Sequence, residues 1–409
     1  MAIKAQKGTK DILPEESFVW QYIIDCADNV FKRYNFKRIS TPVIEATELY
    51  QRGVGDSTDI VNKEMYSFSK NDHNITLRPE NTAGVVRAFI EHNMQRDIQP
   101  VKLWYFGPMF RYERPQAGRQ RQFHQIGVEM FGSADPSADA DCIKTAVEFI
   151  HSVGLNDLIV EINSLGCNDC RNAFREKIKN LIEPLLPDLC DDCKRRFETN
   201  PLRILDCKNK NCYEIFEKND LFNSLSKIDL CPECSDHYTK LKEYLDILNV
   251  KYVENPFLVR GLDYYTRTVF EIKSNDLGSQ NAVCGGGRYD NLVETLGGTH
   301  TPAVGWAIGV ERLYSLIEKP TMPKTDYFVI SDSISVALQF ADKIRCYGKS
   351  AEIDYSSRKF SKQIEKAAKI SENAVILGEN EISSNNITVK NLETFEQVTI
   401  SQNEFFSSL

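Results

Sequence analysis

Eight of the chain's twelve cysteines lie between residues 167 and 234, and no other feature restricts the fold as much. They form four couples, Cys167/Cys170, Cys190/Cys193, Cys207/Cys212 and Cys231/Cys234, spaced C-x2-C-x19-C-x2-C and then C-x4-C-x18-C-x2-C. This is close to the spacing of tetrathiolate zinc ribbons, where four thiolates close a tetrahedron and leave no position open for catalysis. Eight thiolates suffice for two structural Zn2+ sites. An iron–sulfur cluster or free thiols are the alternatives, and sequential or interleaved pairing of the couples is not legible. A disulfide framework is disfavoured, because the opening "MAIKAQKGTKDILPEES" lacks the apolar stretch of an export signal and predicts a cytoplasmic protein with reduced thiols. No run of roughly 18 apolar residues offers a membrane span, so no membrane partner is expected.

The cysteine-rich segment interrupts strand-like text. Apolar runs bounded by Pro and Gly fill residues 1–165, helical spacing rich in Cys, Asn, Asp and Lys fills 166–250, and strand-like runs return over 251–319. The pattern reads as a module inserted into a larger sheet domain. After the Pro-bearing "EKPTMPKTD", residues 326–409 alternate short β runs with helical stretches, as in a small α/β domain with a mostly parallel sheet. A chain of 409 residues accommodates that many domains.

Fifty Lys and Arg against 58 Asp and Glu give a net charge of -8, so a polyanionic partner must find a local basic patch. One candidate is "YFGPMFRYERPQAGRQRQFHQIGVEMFG", residues 105–132. Arg111 and Glu113 on its first arm, and Gln125 and Glu129 on its second, share strand parity, so each arm can show a polar pair on one face. Arginine forks onto phosphate oxygens while glutamate accepts from an amine, which suits an amino acid beside a nucleotide. A hairpin with solvated ion pairs is the plainer reading. Arg78, Glu80 and Thr82 alternate in "TLRPENTAG", Arg260 precedes a Gly turn and two tyrosines in "LVRGLDYYTRTVFE", and Arg312 ends "GWAIGVER". The glycines of "GGGRYD" let backbone approach a ligand, but no Walker or Rossmann fingerprint is present. Each of these taken singly is explained by a turn or an ion pair; their succession in one chain is not.

In that succession the sequence resembles the class II histidyl-tRNA synthetases over nearly its whole length. "FKRISTPVIEATELYQRGVGDSTDIVNKEMYSF", with Pro42, is similar to the first class II motif, "MFRYERPQAGRQRQFHQIGVEMFG" to the second and "AVGWAIGVERL" to the third. "LVRGLDYYTRTVFE", "CGGGRYD" and "KGTKDILP" resemble motifs peculiar to this family. The resemblance implies an α+β catalytic domain, an antiparallel sheet with flanking helices, carrying an inserted Cys-rich helical module and followed by a C-terminal α/β anticodon-binding domain. It implies activation of L-histidine by ATP with Mg2+, transfer to tRNA(His), and a homodimer. Arg111 and Arg312 would meet the α- and γ-phosphate ends of ATP, with Glu113 and Arg119 nearby, and Arg260 would bridge the substrate carboxylate and α-phosphate. Glu80, Thr82, Gln125 and Glu129 would hold the histidine ammonium and carboxylate, and Tyr264, Tyr265 and Tyr289 would bound the imidazole. The sequence has Asn81 where the family pattern leads us to expect Gly, a substitution that a left-handed backbone would tolerate.

Gln116 and Arg121 match family positions that contact the tRNA acceptor end. In the last domain Arg358, Lys362 and Lys366 repeat every four residues, so they line one helix face, with Lys359 and Lys369 beside them. A solvated face and an anticodon contact both fit. Two other functions compete with the synthetase: a catalytically silent paralogue serving as regulatory subunit of ATP phosphoribosyltransferase, and a zinc-dependent RNA-binding adaptor. Arg111, Arg260 and Arg312 together with the last domain oppose the first; the ligand motifs oppose the second.

Overall fold

The structure is a computed structural model that describes residues 3–55, 58, 60–113, 119–207, 209–225, 228–259, 261–274, 282–356 and 359–409. It divides into two compact units, Met1–Pro320 and Thr321–Leu409. In the first, the described strands form an eight-stranded sheet in the order Lys37–Arg38, Val101–Phe110, Gln122–Phe131, Ala303–Gly309, Ala282–Arg288, Thr266–Ser274, Leu158–Ser164, Tyr252–Glu254. The pairings are antiparallel except at the two edges. One of those parallel pairs, Val160 with Tyr252, has the whole cysteine-rich segment as its crossover. Parallel neighbours require a long connection, and here it is a run of helices.

Helices Pro14–Arg33 and Pro136–Ser152 pack on the sheet. The first starts with Pro14 and the acidic Glu15 and Glu16 and ends with Lys32 and Arg33, which suits the helix dipole. Its buried stripe of Trp20, Ile23, Ala27, Val30 and Phe31 meets Trp104, Phe149 and Trp306. At about 1.5–3 kcal/mol for each large side chain buried, this cluster is the main anchor of the sheet. Of the three consecutive glycines, only Gly285 lines the cavity described below. A Cβ on Gly286 would overlap Trp306 and the Gly305 carbonyl, and one on Gly287 would press on Tyr265, so those two serve close packing rather than ligand approach.

Inside the cysteine-rich segment the helices Asn168–Ile182, Asp191–Thr199 and Lys210–Lys218 enclose Phe174, Ile178, Ile182, Leu202, Ile204 and Phe216. The last helix, Pro232–Ile247, instead sends Leu241 and Leu245 into the core of the main sheet. The second unit has a five-stranded sheet ordered Ala351–Ile353, Thr325–Ser331, Ser371–Leu377, Asn386–Asn391, Gln397–Ser401, parallel over its first three strands and antiparallel after them. No described helix is long and apolar enough to cross a membrane.

Candidate active site and thiolate clusters

The central hairpin pairs Gly107 with Gln125 and Leu103 with Glu129. Its first strand ends at Phe110, so Arg111 and Glu113 stand just beyond the strand rather than on it. Tyr112 N–H donates to the Glu64 carbonyl at 2.6 Å, which draws the chain away from the pairing. Above these strands opens a cavity of about 550 Å³ lined by Arg111, Glu113, Arg119, Gln125 and Arg312, among others. Arg111 is aimed by its Nε bond to the Pro79 carbonyl (2.8 Å) and lies 5.2 Å from the Phe123 ring centre. Arg312 donates to the Ala282 carbonyl at 2.6 Å, and Arg119 pairs with Glu113 at 3.1 Å. Gln125 Oε1 is buried without a hydrogen-bond partner among the described residues, an arrangement costing about 1–3 kcal/mol unless a ligand donates to it.

Two residues along the same strand face, Glu129 forms the floor of a second, buried cluster. It accepts from Thr82 Oγ1 at 2.8 Å, from Tyr105 at 3.4 Å and from Tyr289 in a short bond. Burial raises its carboxyl to about 8, the hydroxyl donors opposing the rise. Burial likewise holds the phenols of Tyr105, Tyr264 and Tyr289 well above their ordinary range, so all three stay donors at neutral pH. Tyr264 packs between Tyr265 (4.7 Å) and Tyr289 (5.6 Å). A Cβ on Gly305, from the neighbouring strand, would overlap Glu129 Oε2. Gly305→Ala is therefore expected to cost at least tenfold in kcat/KM for the amino acid substrate, measured at saturating ATP.

Several other residues singled out in the sequence make contacts within the protein itself. Glu80 accepts from the Thr82 and Ala83 amides at 2.8 and 3.0 Å, capping helix Thr82–Glu91. Its carboxyl is raised by burial against those bonds. Arg78 donates to the carbonyls of Pro108 and Thr41 and to Asn81 Oδ1. Asn81 has φ −116, so its backbone is not left-handed, and its side chain earns its place by also accepting from Thr41 at 2.7 Å. Arg121 stacks 3.8 Å over Tyr112, and its amide donates to Gly8 O. Lys362 pairs with Glu365 at 2.7 Å, and Lys366 turns back towards Asp354 (3.8 Å) and the Phe328 ring. Arg260, Gln116 and Arg358 lie outside the described residues.

The sequence reading missed a buried hub beside this cluster. Arg288 bonds Asp139 at 2.5 Å, Asp290 at 2.9 Å and the Ser133 carbonyl at 2.8 Å, while Thr268 donates to Asp139 at 2.6 Å. His237, from helix Pro232–Ile247, stands 3.4 Å from Asp139. The arginine of "GGGRYD" was the available signal.

The cysteine couples pair in a nested way, neither sequentially nor interleaved. Cys167, Cys170, Cys231 and Cys234 form an outer cluster and Cys190, Cys193, Cys207 and Cys212 an inner one, with ligand atoms in each within 4.8 Å of one another. Sulfur separations of 3.6 Å (Cys167–Cys170) and 3.9 Å (Cys190–Cys207) bracket the edge of about 3.8 Å that Zn–S bonds of about 2.3 Å define. An iron–sulfur cluster interposes several atoms between its thiolates and fits less well. The Cys167 and Cys231 amides point at Cys234 and Cys170 sulfurs, both at 3.2 Å, as amides do around metal-bound thiolates.

An antiparallel sheet, arginines on the hairpin motif and a motif-three arginine over one cavity define a class II aminoacyl-tRNA synthetase core. Residues 64–319 match the family described as tRNA synthetase class II core domain (G, H, P, S and T), and residues 327–409 match the anticodon binding domain. The chain is 47% identical over 411 residues to the histidine–tRNA ligase of Halothermothrix orenii, covering 98% of this chain and 97% of that one. It is also 47% identical over 409 residues to that of Aquifex aeolicus, covering 99% and 100%. The apo histidyl-tRNA synthetase of S. aureus superposes with a TM-score of 0.81 at 36% identity, over 100% of this chain and 99% of that chain. The chain belongs to the histidine–tRNA ligase family.

Proposed function

We propose that this chain joins L-histidine to ATP as histidyl-adenylate and then transfers the histidyl group to the 3′ end of tRNA(His). The observation that carries this reading is the position of Glu129, buried and ringed by tyrosines, next to an arginine-lined cavity. MgATP occupies the cavity, with Arg111 at the α-phosphate and Arg312 at the far end of the triphosphate. Glu129 and Thr82 take the ammonium, the unpaired Gln125 faces the amino acid, and the protonated tyrosines meet the imidazole. The histidine carboxylate, with a pKa of roughly 3.5, is already ionised and attacks the α-phosphorus without a general base. A new P–O bond forms as the bond to pyrophosphate breaks, and the arginines stabilise the charge that redistributes. A terminal ribose hydroxyl of the tRNA then attacks the acyl carbon, and AMP leaves. Arg260 bridges carboxylate and phosphate in this reading. Histidine-dependent exchange of labelled pyrophosphate into ATP tests it; absence of exchange with pure protein, tRNA being unnecessary for that step, would refute it. A catalytically silent regulatory paralogue would give no exchange.

Both thiolate clusters bind structural Zn2+ in this proposal. In the metal-free protein burial pushes the Cys234 thiol up to about 12 and Cys212 to about 11, so metal must displace protons and its affinity falls as pH falls. Elemental analysis is expected to return close to two zinc per chain, and less than half an equivalent would count against the assignment. The free thiols fit a cytoplasmic enzyme. Exposed Ile44 and Phe68 on the small sheet Ile44–Ala46, His73–Leu77, Tyr66–Lys70 support a homodimer through the first motif, to be checked by sedimentation.

A further inference from the structure

We propose that the outer thiolate cluster positions the loop carrying Tyr264 through Arg171, so that metal occupancy of this one cluster is read out as affinity for the amino acid. The inference rests on the reading that Tyr264 bounds the histidine pocket.

The contacts form a short mechanical chain. Helix Pro232–Ile247 is fixed to the catalytic domain, since Leu241 and Leu245 belong to the main core and His237 lies against Asp139. Its first turn carries Cys231 and Cys234, and the other two sulfurs of the cluster, Cys167 and Cys170, start helix Asn168–Ile182. A metal held by all four thiolates therefore clamps the start of one helix to the anchored start of the other. Arg171 is the next residue after Cys170, and its amide bonds the Cys167 carbonyl at 2.9 Å. Its Nη1 donates to the carbonyls of Asp263 (3.1 Å) and Tyr265 (2.8 Å), the two residues flanking Tyr264. One guanidinium thus straddles the peptide units that aim the Tyr264 ring.

The root of the cluster is built to the same end. Leu165 N–H donates to the Arg267 carbonyl at 2.7 Å and Arg267 N–H to the Gly166 carbonyl at 2.8 Å. Arg267 holds φ +47, a conformation that costs a non-glycine residue about 1–2 kcal/mol and that these paired bonds support. Gly166, at φ +68, admits no Cβ, which would overlap that of Cys170. Asn200, which lies between the two couples of the inner cluster, adds a bond to the Asp263 side chain, its Nδ2 donating to Oδ1 at 2.5 Å. Among the described residues the inner segment reaches this loop through Asn200, which meets the Asp263 side chain rather than the carbonyls flanking Tyr264, and the inner sulfurs pack among Leu202, Ile204 and Phe216. Without the outer metal the cysteine sulfurs of the first turn of helix Asn168–Ile182 are joined to Cys231 and Cys234 by weak thiol contacts alone, and the base from which Arg171 reaches the loop is loosened.

The test uses the whole chain as wild type, Arg171→Ala, Arg171→Lys, Cys170→Ser and the double variant Arg171→Ala with Cys170→Ser, and Cys193→Ser serves as the inner-cluster control. Arg171→Ala is expected to keep its zinc and its melting profile, raise KM for histidine about tenfold and leave KM for ATP within twofold. Lysine, a single point donor, restores part of the loss. Cys170→Ser should lose one zinc and raise the histidine KM and calorimetric Kd to the level of Arg171→Ala. The double variant should show no further rise, because both changes break one line of contacts. Cys193→Ser should lose zinc but raise the histidine KM clearly less than Cys170→Ser does, and an equal rise would overturn the assignment to the outer cluster. An Arg171→Ala protein with unaltered histidine affinity overturns the proposal, as do a parallel rise in KM for ATP and fully additive effects of the two single changes. A wild type that neither binds histidine nor catalyses exchange would instead remove the functional reading underneath.

Discussion

Replacing Glu129 by glutamine is expected to raise KM for histidine at least a hundredfold while leaving KM for ATP within a factor of two. The carboxylate is the one anion in the buried cluster whose partners, Thr82, Tyr105 and Tyr289, are all neutral hydroxyl donors, so it has negative charge to give to an incoming ammonium. Removing one side of a buried, hydrogen-bonded charge pair costs about 2–5 kcal/mol, and a hundredfold corresponds to about 2.8 kcal/mol. The pH dependence is a sharper test. In the empty pocket burial raises the carboxyl to about 8, so at neutral pH the group is mostly protonated and must lose that proton to pair with the ammonium. Binding therefore releases a proton below pH 8, and histidine affinity rises with pH until it levels off above that point. Between about pH 6.5 and pH 8 the gain from Glu129 alone is roughly fifteenfold, with about another twofold before it levels off. Calorimetry in buffers of different ionisation enthalpy counts the released proton directly, and Glu129→Gln should abolish both the proton and the slope. A flat profile in the wild type would refute this account of Glu129.

How much of this was legible depended on the range over which each feature is determined. The hairpin arms announce themselves through local alternation, and the register follows once Gly107 faces Gln125. The C-x2-C couples are legible because one helical turn brings each pair of sulfurs together. Their nesting is not, because it follows from Leu158–Ser164 and Tyr252–Glu254 lying side by side in parallel, which brings the two ends of the segment to one edge of the sheet. The local structure at Glu80 was not legible for a related reason. Alternate spacing in "RPENT" suggests a strand presenting Arg78, Glu80 and Thr82 together, but the chain enters a helix at Thr82, and the carboxylate caps it. The arginine-lined cavity and the Glu129 cluster assemble from segments that the motifs named in order, yet Tyr105 lies on the apolar arm ahead of the second motif and Asp139 in a following helix that carries no motif. Arg288 was hidden by the glycines in front of it, and its main partner Asp139 is 149 residues away in the chain.

That pair supplies the largest expected effect on stability. Arg288→Met should lower the unfolding free energy by about 3–5 kcal/mol, because it leaves the fully buried Asp139 carboxylate without its cation. Burial alone works against the charge on Arg288, and Asp139 and Asp290 more than offset it, so the guanidinium stays charged throughout the accessible pH range. Methionine fills most of the volume, which separates the electrostatic loss from a cavity. For a domain larger than about 150 residues, each kcal/mol shifts the melting temperature by about 2–4 °C, so a fall of roughly 10 °C is expected. Activity should fall as well. Tyr289 follows Arg288 directly, and the same backbone that the guanidinium pins through Asp139 and the Ser133 carbonyl presents the Tyr289 hydroxyl to Glu129. Adding Asp139→Asn to the variant removes the stranded charge and should recover about half of the lost stability without restoring histidine affinity. An Arg288→Met protein that melts within 2 °C of wild type would show that the hub contributes no net stability, and a double variant no more stable than the single would show that the loss lies in packing rather than in charge.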